Sequence, residues 1–168
     1  LSRSGFYHYD KNYKLVSRFD FYKDEQVPYE HFFGGERLIE LDNKRFLIIT
    51  RIGYFIYEKE MKKFKKMTAD DCPAMAEFIN RPSFSFIFFQ QKPGKLFVLK
   101  TASDTLVYIN TTENKKTISK LPFNPIAPEL QWRSKLIPID DTSFFITGHS
   151  SGFYKMHFYP ETGSVTFY

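Results

Sequence analysis

Short apolar bursts separated by polar turns run the length of this chain, and the bursts fall into sets of four. One set reads Leu38-Ile39-Glu40-Leu41, the turn Asp42-Asn43-Lys44, Arg45-Phe46-Leu47-Ile48-Ile49-Thr50, Gly53-Tyr54-Phe55-Ile56-Tyr57, a charged turn, and Lys63-Phe64-Lys65-Lys66-Met67. A later set keeps the plan with Leu136-Ile137-Pro138-Ile139, Asp140-Asp141-Thr142, Ser143-Phe144-Phe145-Ile146-Thr147, Gly152-Phe153-Tyr154-Lys155-Met156 and Val165-Thr166-Phe167-Tyr168. Between them lie residues 84–89, the Lys92-Pro93-Gly94 turn, 96–101, 106–109 and 117–121. Runs this short, bounded by turn residues, predict strands, and four in succession predict an antiparallel meander. A helical repeat would need a 3.6-residue apolar period, which is missing.

A glycine-aromatic phrase opens the third run: Gly5-Phe6-Tyr7, Gly53-Tyr54-Phe55 and Gly152-Phe153-Tyr154, with a degenerate copy at Asp104-Thr105-Leu106-Val107-Tyr108. Its spacing of about 50 residues marks a repeat architecture, and four strands in about 40 to 50 residues is the unit of a β-propeller blade. The second run of each copy, such as Phe46 to Ile49 or Leu96 to Leu99, is continuously apolar, as a strand covered on both faces should be. Outermost runs carry Lys62, Lys63, Lys65 and Lys66, or Lys115, Lys116 and Lys120, and lysine on an edge strand blocks sheet-to-sheet association. The expected fold is therefore all-β, a β-propeller fragment of about three and a half four-stranded antiparallel blades. It forms one partial domain, with the outer half of a blade in 1–22 and full blades in 37–67, 84–121 and 134–168. Closed propellers need about four to eight blades, so the expectation is a piece of a larger protein, begun inside a blade.

Composition narrows the chemistry rather than the fold. Aromatic residues make up 19% of the chain, which suits cores packed between sheets. A single cysteine, Cys72, excludes an internal disulfide and any CxxC zinc pattern, and reads as a small buried or loop residue. The net charge of +5 sits on outer-strand and hairpin-tip lysines interleaved with Glu58, Glu60 and Glu113, so it reads as a solvated rim and no nucleic-acid partner is expected.

His8, His31, His149 and His157 show no metal-ligand spacing, and there is no GxSxG, phosphate loop or dinucleotide fingerprint. Asp70-Asp71 and Asp140-Asp141 fall at turns, where aspartate accepts backbone hydrogen bonds. No catalytic residue, metal or cofactor is expected, and the chain is not read as an enzyme.

In a blade meander the turn between the second and third strands opens on the same face as the connection to the next blade. The connections span about 23–37, 68–83 and 122–133, and loops beyond about 12 residues are often functional. They carry Tyr29, His31, Phe32, Arg81 and Trp132, while the shorter turns add Arg3, Arg51, Ser103, His149 and Ser150. Aromatic rings beside hydrogen-bonding groups suit a sugar, whose apolar face stacks while Arg or His reaches its hydroxyls. Trp132, Arg51, His149, Arg3 and Arg81 are the expected ligand-binding residues. Each also has a structural reading, as an inter-blade packing, turn or salt-bridge residue.

The phrases Gly5-Phe6-Tyr7-His8-Tyr9-Asp10-Lys11 and Leu41 to Tyr57, followed by Phe64, resemble the two-component-regulator propeller repeat. That repeat has the general form "turn, W/F-I-G-T, x-x-G-L, x-x-Y-D, then F". This chain departs from it at Ile49-Thr50, Ile146-Thr147 and Asp104. Such repeats build the extracytoplasmic sensor of membrane histidine kinases, commonly hybrid kinases of gut Bacteroidetes that detect polysaccharide breakdown products.

The resemblance implies a periplasmic fragment of a sensor propeller that binds an oligosaccharide and signals across the membrane. Its partners would be the remaining blades of the parent propeller and a second receptor in a dimer, with kinase chemistry confined to the parent. The repeat motif records blade construction, so it transfers no binding residue. The alternative is a propeller scaffold for protein–protein interaction without a small ligand. A propeller-fold hydrolase or lyase is third, because no acid pair or metal cluster is recognisable.

Overall fold

Turns headed by Asp10, Asp42 and Asp140 close three of the hairpins that the apolar pattern predicts. We describe residues 5–20, 23, 35–50, 52–81, 86–100, 103–121, 135–149 and 152–168 in a computed structural model of the chain. They form fourteen strands: β1 (Gly5–Tyr9), β2 (Leu15–Asp20), β3 (Gly35–Glu40), β4 (Arg45–Thr50), β5 (Gly53–Glu58), β6 (Lys63–Lys66), β7 (Phe86–Lys92), β8 (Lys95–Lys100), β9 (Thr105–Asn110), β10 (Lys115–Lys120), β11 (Lys135–Pro138), β12 (Ser143–His149), β13 (Gly152–Tyr159) and β14 (Ser164–Phe167). Three sheets are four-stranded meanders in the orders β3-β4-β5-β6, β7-β8-β9-β10 and β11-β12-β13-β14, and β1 with β2 makes a two-stranded sheet. Every pairing is antiparallel.

The phrase that opens the third strand does so for a backbone reason. Gly53 has φ of 145°, a conformation that residues with a Cβ rarely adopt, and it pairs with Thr50 across a two-residue corner. Gly5 meets a different constraint, since a Cβ there would lie 2.0 Å from the Phe19 carbonyl oxygen. Turns between first and second strands also repeat. The Asp42 carboxylate accepts the Lys44 N–H at 2.8 Å while Leu41 N–H donates to Arg45 O at 3.0 Å. Asp140 accepts the Thr142 N–H at 2.8 Å while Ile139 N–H donates to Ser143 O at 2.8 Å.

The chain divides into two compact units, residues 1–83 and 84–168. In the first, Phe6 and Phe19 pack on Ile48, Phe55 and Tyr57, with ring centroids 5.4 Å apart for Phe6–Phe55 and 5.2 Å for Phe19–Phe55. In the second, Ile87, Phe89, Phe97, Leu99, Leu106 and Tyr108 face Leu136, Phe144, Ile146, Met156 and Phe158. The continuously apolar β4 and β8 are the buried second strands, whereas the lysine-bearing β6 and β10 are outer edges with exposed lysines.

Two local features depart from the sequence reading. The stretch 68–83, expected as an open connection, contains two 3-10 turns (Ala69–Asp71 and Pro73–Met75) and α1 (Ala76–Ile79). Asp71 accepts the Thr68 N–H and hydroxyl, each at 2.9 Å, and Pro73 sits where a helical turn needs no N–H. His149, expected in a turn, is instead the last residue of β12, opposite Gly152, because an irregularity between Ile146 and His149 absorbs the longer break.

Candidate functional site

The alternation of side chains along β1 and β4 builds a concavity in the first unit. Residues two apart on a strand share a face, so Phe6 and His8 on β1 look the same way, as do Phe46 and Ile48 on β4. Phe46 stands opposite Tyr57 and Ile48 opposite both Phe55 on β5 and Leu38 on β3. The result is an open groove of about 380 Å³ lined by Phe6, Tyr7, His8, Tyr9, Leu38, Phe46, Ile48, Tyr57 and Phe64. That volume lies at the small end of ligand clefts, roughly 300–1,000 Å³.

Aromatic rings dominate the lining, and its polar groups are the tyrosine hydroxyls and one imidazole. His8 Nδ1 and the Tyr57 hydroxyl share a hydrogen bond of 2.5 Å, with the rings edge-on at 5.2 Å. Tyr57 and Phe64 stack obliquely at 4.6 Å, which holds the outer wall. Lys59 Nζ lies 4.3 Å from the centre of the Phe46 ring and is paired with Glu40. Leu38, an aliphatic side chain on a strand, is 54% exposed at the rim.

A second, smaller concavity of about 170 Å³ is lined by the charged Lys44, Arg45, Glu58 and Glu60 together with Met61. Its chemistry is that of a fastening. Arg45 donates to Asp42 Oδ2 through Nε at 2.9 Å and reaches the Asp71 carbonyl through Nη1 at 2.8 Å. Lys65 bridges Asp71 at 2.7 Å and Glu58 at 3.1 Å. Burial raises the Asp71 carboxyl, but the hydrogen bonds from Lys65 and Thr68 outweigh it, leaving the group below the usual carboxylate range. The same balance, with Arg45 as the main donor, lowers Asp42. These contacts lash the helical segment after β6 to the sheet. Burial pushes the Cys72 thiol up, which keeps it protonated.

Of the residues expected to bind ligand, Trp132, Arg51 and Arg3 lie outside the described residues, as do Tyr29, His31, Phe32 and Ser150. His149 is placed at the end of β12, and its side chain lies outside what is described. Arg81 is exposed just after α1, where its N–H donates to Phe78 O at 3.0 Å, and it does not line the groove. The Ser103 hydroxyl accepts the Thr105 N–H at 3.2 Å and donates to Thr105 Oγ1 at 3.0 Å, a turn-forming role.

The groove residues were in the sequence as strand residues. Nothing in a run such as Gly5-Phe6-Tyr7-His8-Tyr9 says which side is covered, and the signal available was the period-two alternation of Phe6 with His8 and Phe46 with Ile48. Among the described residues no group of three or more His, Cys, Asp or Glu side chains converges, and no helix is long and apolar enough to cross a membrane. No protein-family model matches the chain, and no curated protein matches it.

Proposed function

We propose that this chain is part of an extracytoplasmic sensor propeller, of the two-component-regulator repeat kind, in a hybrid histidine kinase. The observation that carries the reading is the recurrence of one four-stranded meander whose third strand opens on Gly53, on Gly152 and, in the copy where Asp104 replaces the glycine in the sequence, on Thr105, one residue later. Such a scaffold presents its loops to a ligand, here a carbohydrate or oligosaccharide. Trp132, Arg51, His149, Arg3 and Arg81 are the proposed contacts. Binding acts on signalling only if the ligand prefers one arrangement of the receptor dimer over the other. In this reading the chain has no chemistry of its own and lies in the periplasm.

The test is the parent sequence. An immunoglobulin-like segment, an apolar run of about 20 residues and a phosphoacceptor histidine are expected, and a parent without them overturns the reading. Calorimetric titration of the parent with oligosaccharides should then show affinity lost in Trp132→Ala; unchanged affinity removes that residue from the site.

The long connections, 23–37, 68–83 and 122–133, support a second reading, a propeller scaffold that docks protein through them without a small ligand. Retention of a protein partner by the parent, with no oligosaccharide bound, would select it.

A further inference from the structure

The two units contain the same sheet in two environments, and the difference identifies what the groove receives. Leu38 opposite Ile48 corresponds by register to Leu136 opposite Ile146, and Phe46 opposite Tyr57 corresponds to Phe144 opposite Met156. Yet Leu136 is 9% exposed where Leu38 is 54%, and Phe144 is fully buried where Phe46 is only half-buried. Same positions with different cover mean that the cover, not the sheet, differs.

In the second unit the cover comes from inner strands. Ile87 and Phe89 on β7 pair with Leu99 and Phe97 on β8 and face Leu136, Phe144 and Ile146. Phe97 is the central plug, with its ring 4.7 Å from Phe144, 5.1 Å from Phe158 and 5.1 Å from Tyr108. Outside it, Leu106 and Tyr108 on β9 occupy the places that Phe6 and His8 take on β1, each third strand pairing with its outer strand in the same register. The groove therefore lies where Phe97 and its hairpin lie in the other unit.

We propose that the groove seats a β-hairpin of this same repeat from the parent polypeptide. Its second strand would run antiparallel to β1 and place a Phe-sized side chain between His8, Phe46 and Tyr57. The first strand would cover Leu38 as β7 covers Leu136. This inference rests on the propeller reading for the origin of the hairpin but not for the fit of the groove.

The experiment grafts residues 86–100 ahead of Leu1 and compares thermal unfolding and hydrogen exchange of fused and unfused protein. The fusion should raise Tm by about 5 °C and slow exchange in β3 and β4. Leu38→Lys should abolish both effects, while Ile137→Lys, on an exposed position of the other unit, should leave them intact. No gain in Tm, or an equal gain with Leu38→Lys, overturns the proposal. So does a dimer of the unfused protein that Leu38→Lys dissolves, since the face would then belong to a second copy. A parent lacking kinase segments, with the graft still stabilising, would remove the sensor reading and leave the docking inference standing.

Discussion

Phe144 and Phe46 occupy one register position in two repeats, so truncating each to alanine measures how much their surroundings contribute. Phe144 is fully buried against Phe97, and Phe→Ala in such a core costs about 3–5 kcal/mol from lost transfer free energy and the cavity left behind. Phe46 already faces the groove. Full burial of a phenylalanine is worth about 1.5–3 kcal/mol, of which Phe46 realises about half. Its Lys59 contact adds about 0.5 kcal/mol near the surface, so Phe46→Ala should cost about 1–2 kcal/mol.

Urea unfolding followed by far-UV circular dichroism gives the overall change. Hydrogen exchange read strand by strand assigns it to a unit, which matters because two units need not unfold together. Phe144→Ala should deprotect β7 to β14 and Phe46→Ala only β1 to β6. Two variants within about 1 kcal/mol of each other would refute the claim that the shared position is differently covered.

Acid should loosen the first unit through Asp71. Its carboxyl is held low in the folded state, so its stabilising contribution is present above the unfolded value of about 3.9 and is lost as pH falls through the folded value. The urea midpoint should therefore drop below about pH 4 less steeply in Asp71→Asn than in the wild type; equal slopes would discount the Lys65–Asp71 fastening. Asp140, exposed and held to about 2 by the Thr142 and Ser143 N–H groups, should titrate by carbon NMR well below an ordinary aspartate, and Thr142→Pro should raise it. Cys72 is buried with a raised thiol pKa, so a disulfide reagent should label it at least about 100-fold more slowly in the native protein than in denaturant. Gly5→Ala places a Cβ against the Phe19 carbonyl and should speed exchange in β1 and β2 while leaving β7 to β10 unchanged; uniform protection would mean that the β1–β2 hairpin tolerates the side chain.

Local chemistry made much of this legible from the chain alone. Turn aspartates, Gly53 and the apolar bursts act over a few residues, so strand positions, the four-strand unit and the buried second strands β4 and β8 follow from residues close in sequence. Even the lysine edges, β6 and β10, were readable from charge placement. The helical turns in 68–83 were missed because their stability comes from Arg45 and Lys65, some 26 and 6 residues away from Asp71, although Thr68 and Asp71 carried a local hint.

Tertiary structure decided what covers each sheet. Leu38 and Leu136 have the same residue type, the same strand and the same register, yet one is open and the other closed. No window of sequence distinguishes them, because exposure depends on which distant strand arrives, and that is settled only when Phe97 and its hairpin pack on Phe144. The groove is a property of packing between sheets, not of the run of residues that lines it.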